Sequence, residues 1–503
     1  LIFMCLKDFF KYLLGSKINF IQIMFKSSIK PLLGSFTCAI IILFYYNSYI
    51  SASEERTQIE PIQLLKDYVK AENKDFGFVI KDSIKELDYS LYHIKMTSGK
   101  WLNKKLVNKP IWWHWVDVVI PTNLSSSNAL LFVGGGSTEQ NKIYLDSISI
   151  AQSIASESVV AHISNIPFQP ISFIGSDSIQ RYEDDIIAFG WDRFLSGGAK
   201  DKDSKWLARF PMTRAVVKAM DVIQEVTKYS KIPTNKFFIS GASKRGWTTW
   251  TTAAVDNRVM GIAPLVIDML NLEPSFQHHY RAYGDWSPAI KNYIDHGIME
   301  WMGTDAFDRL LKLVEPYQFK KLFQMPKLLV NGTIDEFFLP DSWKFYWNEL
   351  PGEKYLQYVP NGNHGLAGSY RSENVFSFYR KIIRNKPLPD MDWKIDQDSI
   401  YLKIKTQIPY EIAIWKANNP KKRDFRSWEV GKEAWKKTPV ELVSSGNYAI
   451  KIPQAIGYTA SLVEVVFDAK GETPITLTTG TTIKPEKYPF KAFKPISKKL
   501  IRK

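Results

Sequence analysis

Phe237-Phe238-Ile239-Ser240-Gly241-Ala242-Ser243-Lys244-Arg245-Gly246-Trp247 opens as an apolar run short enough for a buried strand and passes into small residues. Thr248 to Val255 then reads as helix. A strand that turns sharply into a helix holds its apex residue in strained backbone, with no room for neighbouring Cβ branches. Ser243, between the glycines, is that apex. The usual spacing for an apex serine with a chemical role is G-x-S-x-G, and here the second glycine, Gly246, comes one residue late. A Gly/Ser turn without chemistry has the same composition, so the reading depends on what surrounds it.

Working outward, Glu86 to Met96 and Trp112 to Ile120 alternate as strands, and Ala129 to Val133 is continuously apolar, as a strand buried on both faces would be. That run ends in Gly134-Gly135-Gly136, a backbone free to turn its N–H groups toward a ligand. Gln63 to Val69 and Leu145 to Ile154 read as helices, Ser158 to Ile163 as a strand, and Pro211 to Tyr229 as a helix with proline at its start. Downstream, Gly261 to Asp268, Lys327 to Asp335 and Lys354 to Val359 are strands, with helices at Pro340 to Leu350 and Ser372 to Ile383. Residues 271–323 are aromatic-rich and helical, without a clear strand, and read as a cap inserted over the site. Strands alternating with helices at this spacing predict a parallel α/β sheet. With the apex serine they predict an α/β-hydrolase fold over residues 54–390. Past Pro387, Pro389 and Asp390 the texture changes to short strands with turn clusters between them. This predicts an all-β, sandwich-like domain over 391–490, then a basic tail at 491–503.

The chain has 503 residues, with 45% hydrophobic and 14% aromatic, a globular composition with room for one large core. Its two cysteines, Cys5 and Cys38, both precede residue 54, so no disulfide framework or cysteine nucleophile is expected in the folded part. Residues 1–53 read as a leader. Within 24–53 lie a basic start (Lys26, Lys30), an apolar stretch from Pro31 to Tyr46 and a small-residue ending at Ile50-Ser51-Ala52, the pattern of a secretory signal. Met24 reads as the beginning of that signal, and residues 1–23 read as an upstream extension, with a start at Leu1 as the alternative. Export to the periplasm or beyond is the expectation, and an uncleaved N-terminal anchor is the alternative. Net charge is +15, and the last twenty residues set eight lysines and arginines against Glu486 alone. Membrane contact is expected only through the leader or this tail, and no nucleic-acid partner is expected. The sequence sets no oligomeric state.

A serine hydroxyl is a poor nucleophile at neutral pH and needs a base, itself held by an acid. In this fold the order is serine, acid, histidine. Of seven histidines only His364 follows a late strand, in Pro360-Asn361-Gly362-Asn363-His364-Gly365. Asp335 follows the preceding strand, with Glu336 and Asp341 as competitors. Ser243, His364 and Asp335 are therefore the candidate triad, and the N–H groups of Lys244, Gly135 and Gly136 the candidate oxyanion hole. Lys244 and Arg245 could meet a substrate carboxylate or the oxyanion, or pair structurally with Asp256 or Asp184. Arg245 and Trp247 are candidate substrate-binding residues, though core packing explains Trp112, Trp113, Trp115, Trp247 and Trp250 as well. No metal-ligand spacing occurs, and no cofactor or metal is expected.

These stretches resemble one family throughout. Met96-Thr97-Ser98 with Trp101, Pro211-Met212-Thr213, Gly241 to Trp250, Asp335 to Ser342, Gly352 to Leu356, Pro360-Asn361 with His364, and Arg423-Asp424-Phe425-Arg426 resemble the PhoPQ-activated pathogenicity-related proteins. This is a set of secreted α/β-hydrolase-like proteins that includes autocrine proliferation repressors. The resemblance spans roughly Leu64 to Phe490. It implies the fold, export and the triad, and it carries a link to virulence, but it implies no substrate. The G-x-S-x-x-G spacing with a basic residue after the serine also resembles glucuronoyl esterases locally. The expected activity is that of a secreted serine hydrolase, an esterase cleaving a small-molecule, carbohydrate or peptide ester, with a peptidase or amidase as a variant. The alternative is a secreted binding or signalling protein with a vestigial site.

Overall fold

The computed structural model describes residues 61–140, 146–366, 371–443 and 445–495. The leader and the last eight residues of the tail lie outside them. Nine strands form one sheet: β1 (Gly77–Lys85), β2 (Tyr89–Lys100), β3 (Ile111–Pro121), β4 (Asn128–Val133), β5 (Val159–Ile163), β6 (Lys236–Ala242), β7 (Val259–Leu265), β8 (Lys327–Gly332) and β9 (Lys354–Val359). Their order is β1-β2-β3-β5-β4-β6-β7-β8-β9. β1, β2, β3 and β5 pair antiparallel in turn, and β5-β4-β6-β7-β8-β9 are parallel. Parallel neighbours need crossovers, which helices such as Ser147–Ser156, Arg209–Thr227 and Lys244–Val255 supply. This is the α/β-hydrolase-like arrangement, and it puts the carboxyl ends of six strands along one edge.

The central strands are apolar without alternation because each faces two cores. Ala129 and Leu131 of β4, with Phe237 and Ile239 of β6, pack into one core against Val216, Met220 and Trp250 of the crossover helices. Leu130 and Phe238 pack into the other against Val375, Phe376 and Phe378 of the helix Arg371–Ile383. Between β7 and β8 the chain is helical, through Leu272–Tyr283, Lys291–Asp295 and Asp305–Val314 with 3₁₀ turns between. Phe307, Leu310 and Leu311 anchor this insertion in the first core.

Beyond residue 390 come β10 (Met391–Ile395), β11 (Ser399–Ile404), β12 (Tyr410–Asn419), β13 (Lys436–Pro439), β14 (Asn447–Lys451), β15 (Tyr458–Phe467), β16 (Ile475–Thr478) and β17 (Thr482–Lys484). All pair antiparallel, in two sheets: β10-β11-β14, and β13-β12-β15-β16 with β17 on β15. Ile400 and Leu402, Ile412 and Ile414, and Val463 and Val465 turn inward and join the second core. The region is fastened to the outer edge of the main sheet, where Tyr358 N of β9 donates to Thr478 Oγ1 (2.9 Å).

Several elements differ from the sequence reading, the short strands β10, β13 and β17 among them. The edge strand β1 was unread, because an edge strand left largely to solvent needs no apolar alternation. The helix Glu183–Ser196 was also unread, although Glu183, Asp184 and Asp185 in its first turn are a helix-start signal. Pro340 to Leu350 is not an α-helix but two 3₁₀ turns, Ser342–Phe345 and Trp347–Glu349. Tertiary bonds decide its path: Asp341 pairs with Arg423, and Trp343 Nε1 donates to Thr481 O (2.8 Å). Among the described residues no helix is long and apolar enough to cross a membrane.

Candidate active site

β6 ends at Ala242 and the next helix begins at Lys244, so Ser243 makes the whole turn, at φ 58° and ψ −126°. Positive φ at a non-glycine residue costs about 1–3 kcal/mol and persists only where surroundings enforce it. Here Ser243 N donates to Leu265 O of β7 (2.8 Å), and Ser243 O accepts from Trp247 N (3.0 Å). The late glycine has a packing cause. A Cβ on Gly246 would lie 2.9 Å from both Gly241 O and Ile267 Cγ2, so the helix crosses close to the strand here. A Cβ on Gly241 would lie 2.8 Å from Arg245 O.

The two cations after Ser243 are engaged. Lys244 Nζ lies 2.9 Å from Glu183 Oε2 and 3.0 Å from Asp184 Oδ2. Arg245 Nη2 pairs with Glu183 Oε1, and its Nε donates to Ile166 O (2.6 Å). Burial alone would push the Glu183 carboxyl up, but the Arg245 and Lys244 charges outweigh it and hold the group below its usual range. Of the two acids weighed as partners, Asp184 takes Lys244, while Asp256 holds Arg258 (2.7 Å). Trp247 is a core residue, 3% exposed, its Nε1 donating to Val314 O (2.6 Å) and its ring under Arg209.

After β4 the glycine loop is tied down by its carbonyls. Ile166 N donates to Gly134 O (3.1 Å), Asn165 N to Gly135 O (2.7 Å), and Gln169 Nε2 to Gly136 O (2.7 Å). Gly134 N donates to Ile163 O (2.7 Å). The N–H groups of Gly135, Gly136 and Lys244 have no acceptor among the described residues. A Cβ on Gly135 would lie 2.6 Å from Arg245 Nη2, so a side chain there would push the guanidinium from its place beside the loop.

Asp335 and His364 meet. His364 Nδ1 donates to Asp335 Oδ2 (2.9 Å), and Oδ1 also accepts from Phe337 N (2.7 Å). The Phe337 ring lies 4.1 Å from the imidazole. Asp335 is 2% exposed, while the His364 side chain keeps 20% exposure and its Nε2 has no hydrogen-bond partner among the described residues. The competing acids do other work. Glu336 Oε2 accepts from His364 N (2.9 Å) and Oε1 from Ser427 Oγ (2.8 Å). Asp341 is buried among His278, Lys344 and Arg423. Asn361 exchanges two hydrogen bonds with the Trp435 backbone (2.8 and 3.0 Å), so residues of the C-terminal region brace the His364 loop from outside.

Ser243, Asp335 and His364 thus follow β6, β8 and β9 on the same edge of the sheet. Asp335 and His364 are hydrogen-bonded, and Ser243 Oγ bonds to neither. Sequence reasoning missed Glu183, Ser427 and Trp435. The acidic run 183–185 was a signal for the first, and the string Arg423 to Arg426 marked the neighbourhood of the others. Among the described residues no group of three or more His, Cys, Asp or Glu could hold a metal ion.

A profile described as PhoPQ-activated pathogenicity-related protein matches residues 65–426. Autocrine proliferation repressor protein A of Dictyostelium discoideum is 33% identical over 456 residues, covering 85% of this chain and 91% of that protein. Among solved structures, acetyl xylan esterase 1 from Thermoanaerobacterium sp. JW/SL YS485 is 12% identical, with a TM-score of 0.45 over 62% of this chain and 90% of its own. A glucuronoyl esterase from Solibacter usitatus is 12% identical, with a TM-score of 0.40 over 65% of this chain and 92% of its own. The chain belongs to the PhoPQ-activated pathogenicity-related protein family.

Proposed function

We propose that this chain is an exported serine hydrolase, an esterase acting through an acyl-enzyme on Ser243. The observation that carries the reading is the Asp335–His364 pair, whose free Nε2 belongs to a partly exposed imidazole on the edge that Ser243 also occupies. In this reading His364 Nε2 takes the Ser243 Oγ proton as the oxygen attacks the ester carbonyl. The tetrahedral oxyanion is held by the N–H groups of Lys244 and of Gly135 or Gly136, which are unoccupied and fixed by the bonds their loop makes elsewhere. Donors fixed in advance are each worth roughly 10²–10³ in rate. His364 then protonates the leaving alcohol, and a water activated by the same nitrogen releases the acid. Asp335 keeps Nδ1 protonated and balances the imidazolium. The Ser243–His364 bond forms in the substrate complex, as catalytic hydrogen bonds often tighten only there. Arg245 and Trp247 hold the turn instead of touching substrate, a role supported by the contacts each already makes.

A second reading, a secreted repressor whose hydrolase site is vestigial, is favoured by the name of the Dictyostelium relative. A fluorophosphonate probe separates the two. The esterase reading expects stoichiometric labelling of the native chain and none of Ser243→Ala. Absence of labelling, or equal labelling of the variant, leaves the repressor reading.

A further inference from the structure

A cleft of about 450 Å³ opens at the opposite edge of the molecule, between the end of the helix Arg371–Ile383 and the C-terminal sheets. The Tyr379 hydroxyl beside it donates to Asn128 O at the start of β4 (3.2 Å), which fixes this as the amino edge of the parallel strands. Four cations line the cleft: Arg380, Lys381, Arg384 and Lys386. None makes an ion pair among the described residues. Arg380 Nη2 and Arg384 Nη2 donate only to the backbone carbonyls of Glu472 (3.2 Å) and Ala155 (2.8 Å). Lys381 is 6% exposed, and its ammonium has no hydrogen-bond partner among the described residues. Arg380 Nε is buried without one.

Cations at a helix C-terminus gain from the helix dipole, but that gain does not offset four positive charges gathered in one cleft. Burial lowers the affinity of both Arg380 and Lys381 for their protons. Arg384 adds to this for Arg380 and Glu472 opposes it; for Lys381, Asp468 opposes it across the cleft and Lys386 adds to it. Such a site is short of an anion. The rest of the lining narrows the ligand. Ile408 and Pro409 offer an apolar wall of sugar-ring size, while Asp468, Glu472 and Thr473 offer acceptors for hydroxyls. We propose that this cleft binds a phosphorylated or sulfated sugar, its anionic group held by Lys381 with Arg380, Arg384 and Lys386 and its ring lying on Ile408 and Pro409.

The test is thermal unfolding and calorimetric titration of the full chain at constant ionic strength. The probes are fructose 1,6-bisphosphate, glucose 6-sulfate, inorganic phosphate and glucose. A sugar ester is expected to raise Tm by about 3 °C at a hundredfold excess over Kd. The rise should vanish in the exposed double variant Arg384→Gln/Lys386→Gln and in Lys381→Gln, and persist in Lys436→Gln, a remote exposed lysine. The phosphate and sulfate arms tell the two esters apart. No shift beyond that of sodium chloride, an unchanged shift in the double variant, or an equal loss in Lys436→Gln would overturn the site. Inorganic phosphate binding as tightly as the sugar esters would overturn the sugar assignment.

Discussion

His364–Asp335 and His278–Asp341 are the same chemical pair in two settings. In both, an imidazole nitrogen sits within hydrogen-bond reach of a carboxylate, at 2.9 Å in the first and 2.8 Å in the second. The second pair is closed. The His278 side chain is 1% exposed, its other nitrogen bonds the Tyr488 hydroxyl (2.7 Å), and Asp341 also serves Arg423 and Lys344. The first pair is open on one side. Asp335 is as buried as its counterpart, but His364 keeps its Nε2 free at a surface where a substrate could arrive. An Asp–His contact alone therefore does not mark a reactive centre, and the outward Nε2 of His364 is what the proposed role requires.

The largest expected effect tests that distinction directly. His364→Ala should slow fluorophosphonate labelling by about 10³–10⁴ while the fold persists, since the proposed base is lost and little packing goes with it. Asp341→Ala should do the opposite. It leaves Arg423, 3% exposed, and the buried His278 without their shared carboxylate, a loss of about 3–5 kcal/mol read as a lower urea midpoint. If instead the His364 variant unfolds and the Asp341 variant only loses labelling, the roles are reversed and the comparison fails. Smaller is the effect of Glu336→Gln. The amide can accept from His364 N or Ser427 Oγ but not both through separate carboxylate oxygens, so the imidazole loses part of its brace. Labelling should fall by about ten- to a hundredfold, the scale of a small misplacement, with Tm nearly unchanged. An unchanged labelling rate would show that the C-terminal region does not position His364.

The open pair was legible in the sequence and the closed one was not, for the same reason. The proposed triad has a chain order and loop positions set by a parallel sheet, so Ser243, Asp335 and His364 could be picked as candidates from the strands they follow. The His278–Asp341 contact joins a helical insertion to a 3₁₀ turn and then to Arg423 in the next region, and no local period encodes that. The sheet centre was readable because Ala129 to Val133 and Phe237 to Ile239 are buried on both faces. β1 was not, because most of it faces solvent. Lys244 and Arg245 are visible as cations, but whether they meet substrate or protein depends on Glu183, some sixty residues away and in a helix with no clear apolar period.

The smallest effect is a pH slope, and it sharpens what burial does to a pair. Burial pushes His278 down to about 4, against the pull of Asp341, and lowers His114 and His162 to about 4 and His279 to about 3, from the usual 6.5. Between about pH 4 and 6.5 the unfolded chain therefore binds protons at these four sites that the native chain does not, and stability rises with pH. Two carboxyls act the other way. Burial raises Asp268, bonded to the Tyr346 and Tyr358 hydroxyls, to about 7, and it raises Glu315 to about 7 as well. Between their unfolded values near 4 and pH 7 the native chain holds protons that the unfolded chain has released, so each lowers stability as pH rises. The four histidines outnumber the two carboxyls, and stability should climb from pH 4.5 to 6. Asp268→Asn should steepen that climb by up to one proton, about 1.4 kcal/mol per pH unit. His278→Gln should flatten it by as much. A slope that neither variant changes would mean that the closed pair titrates as freely as an exposed one, and the contrast with His364–Asp335 would no longer rest on burial.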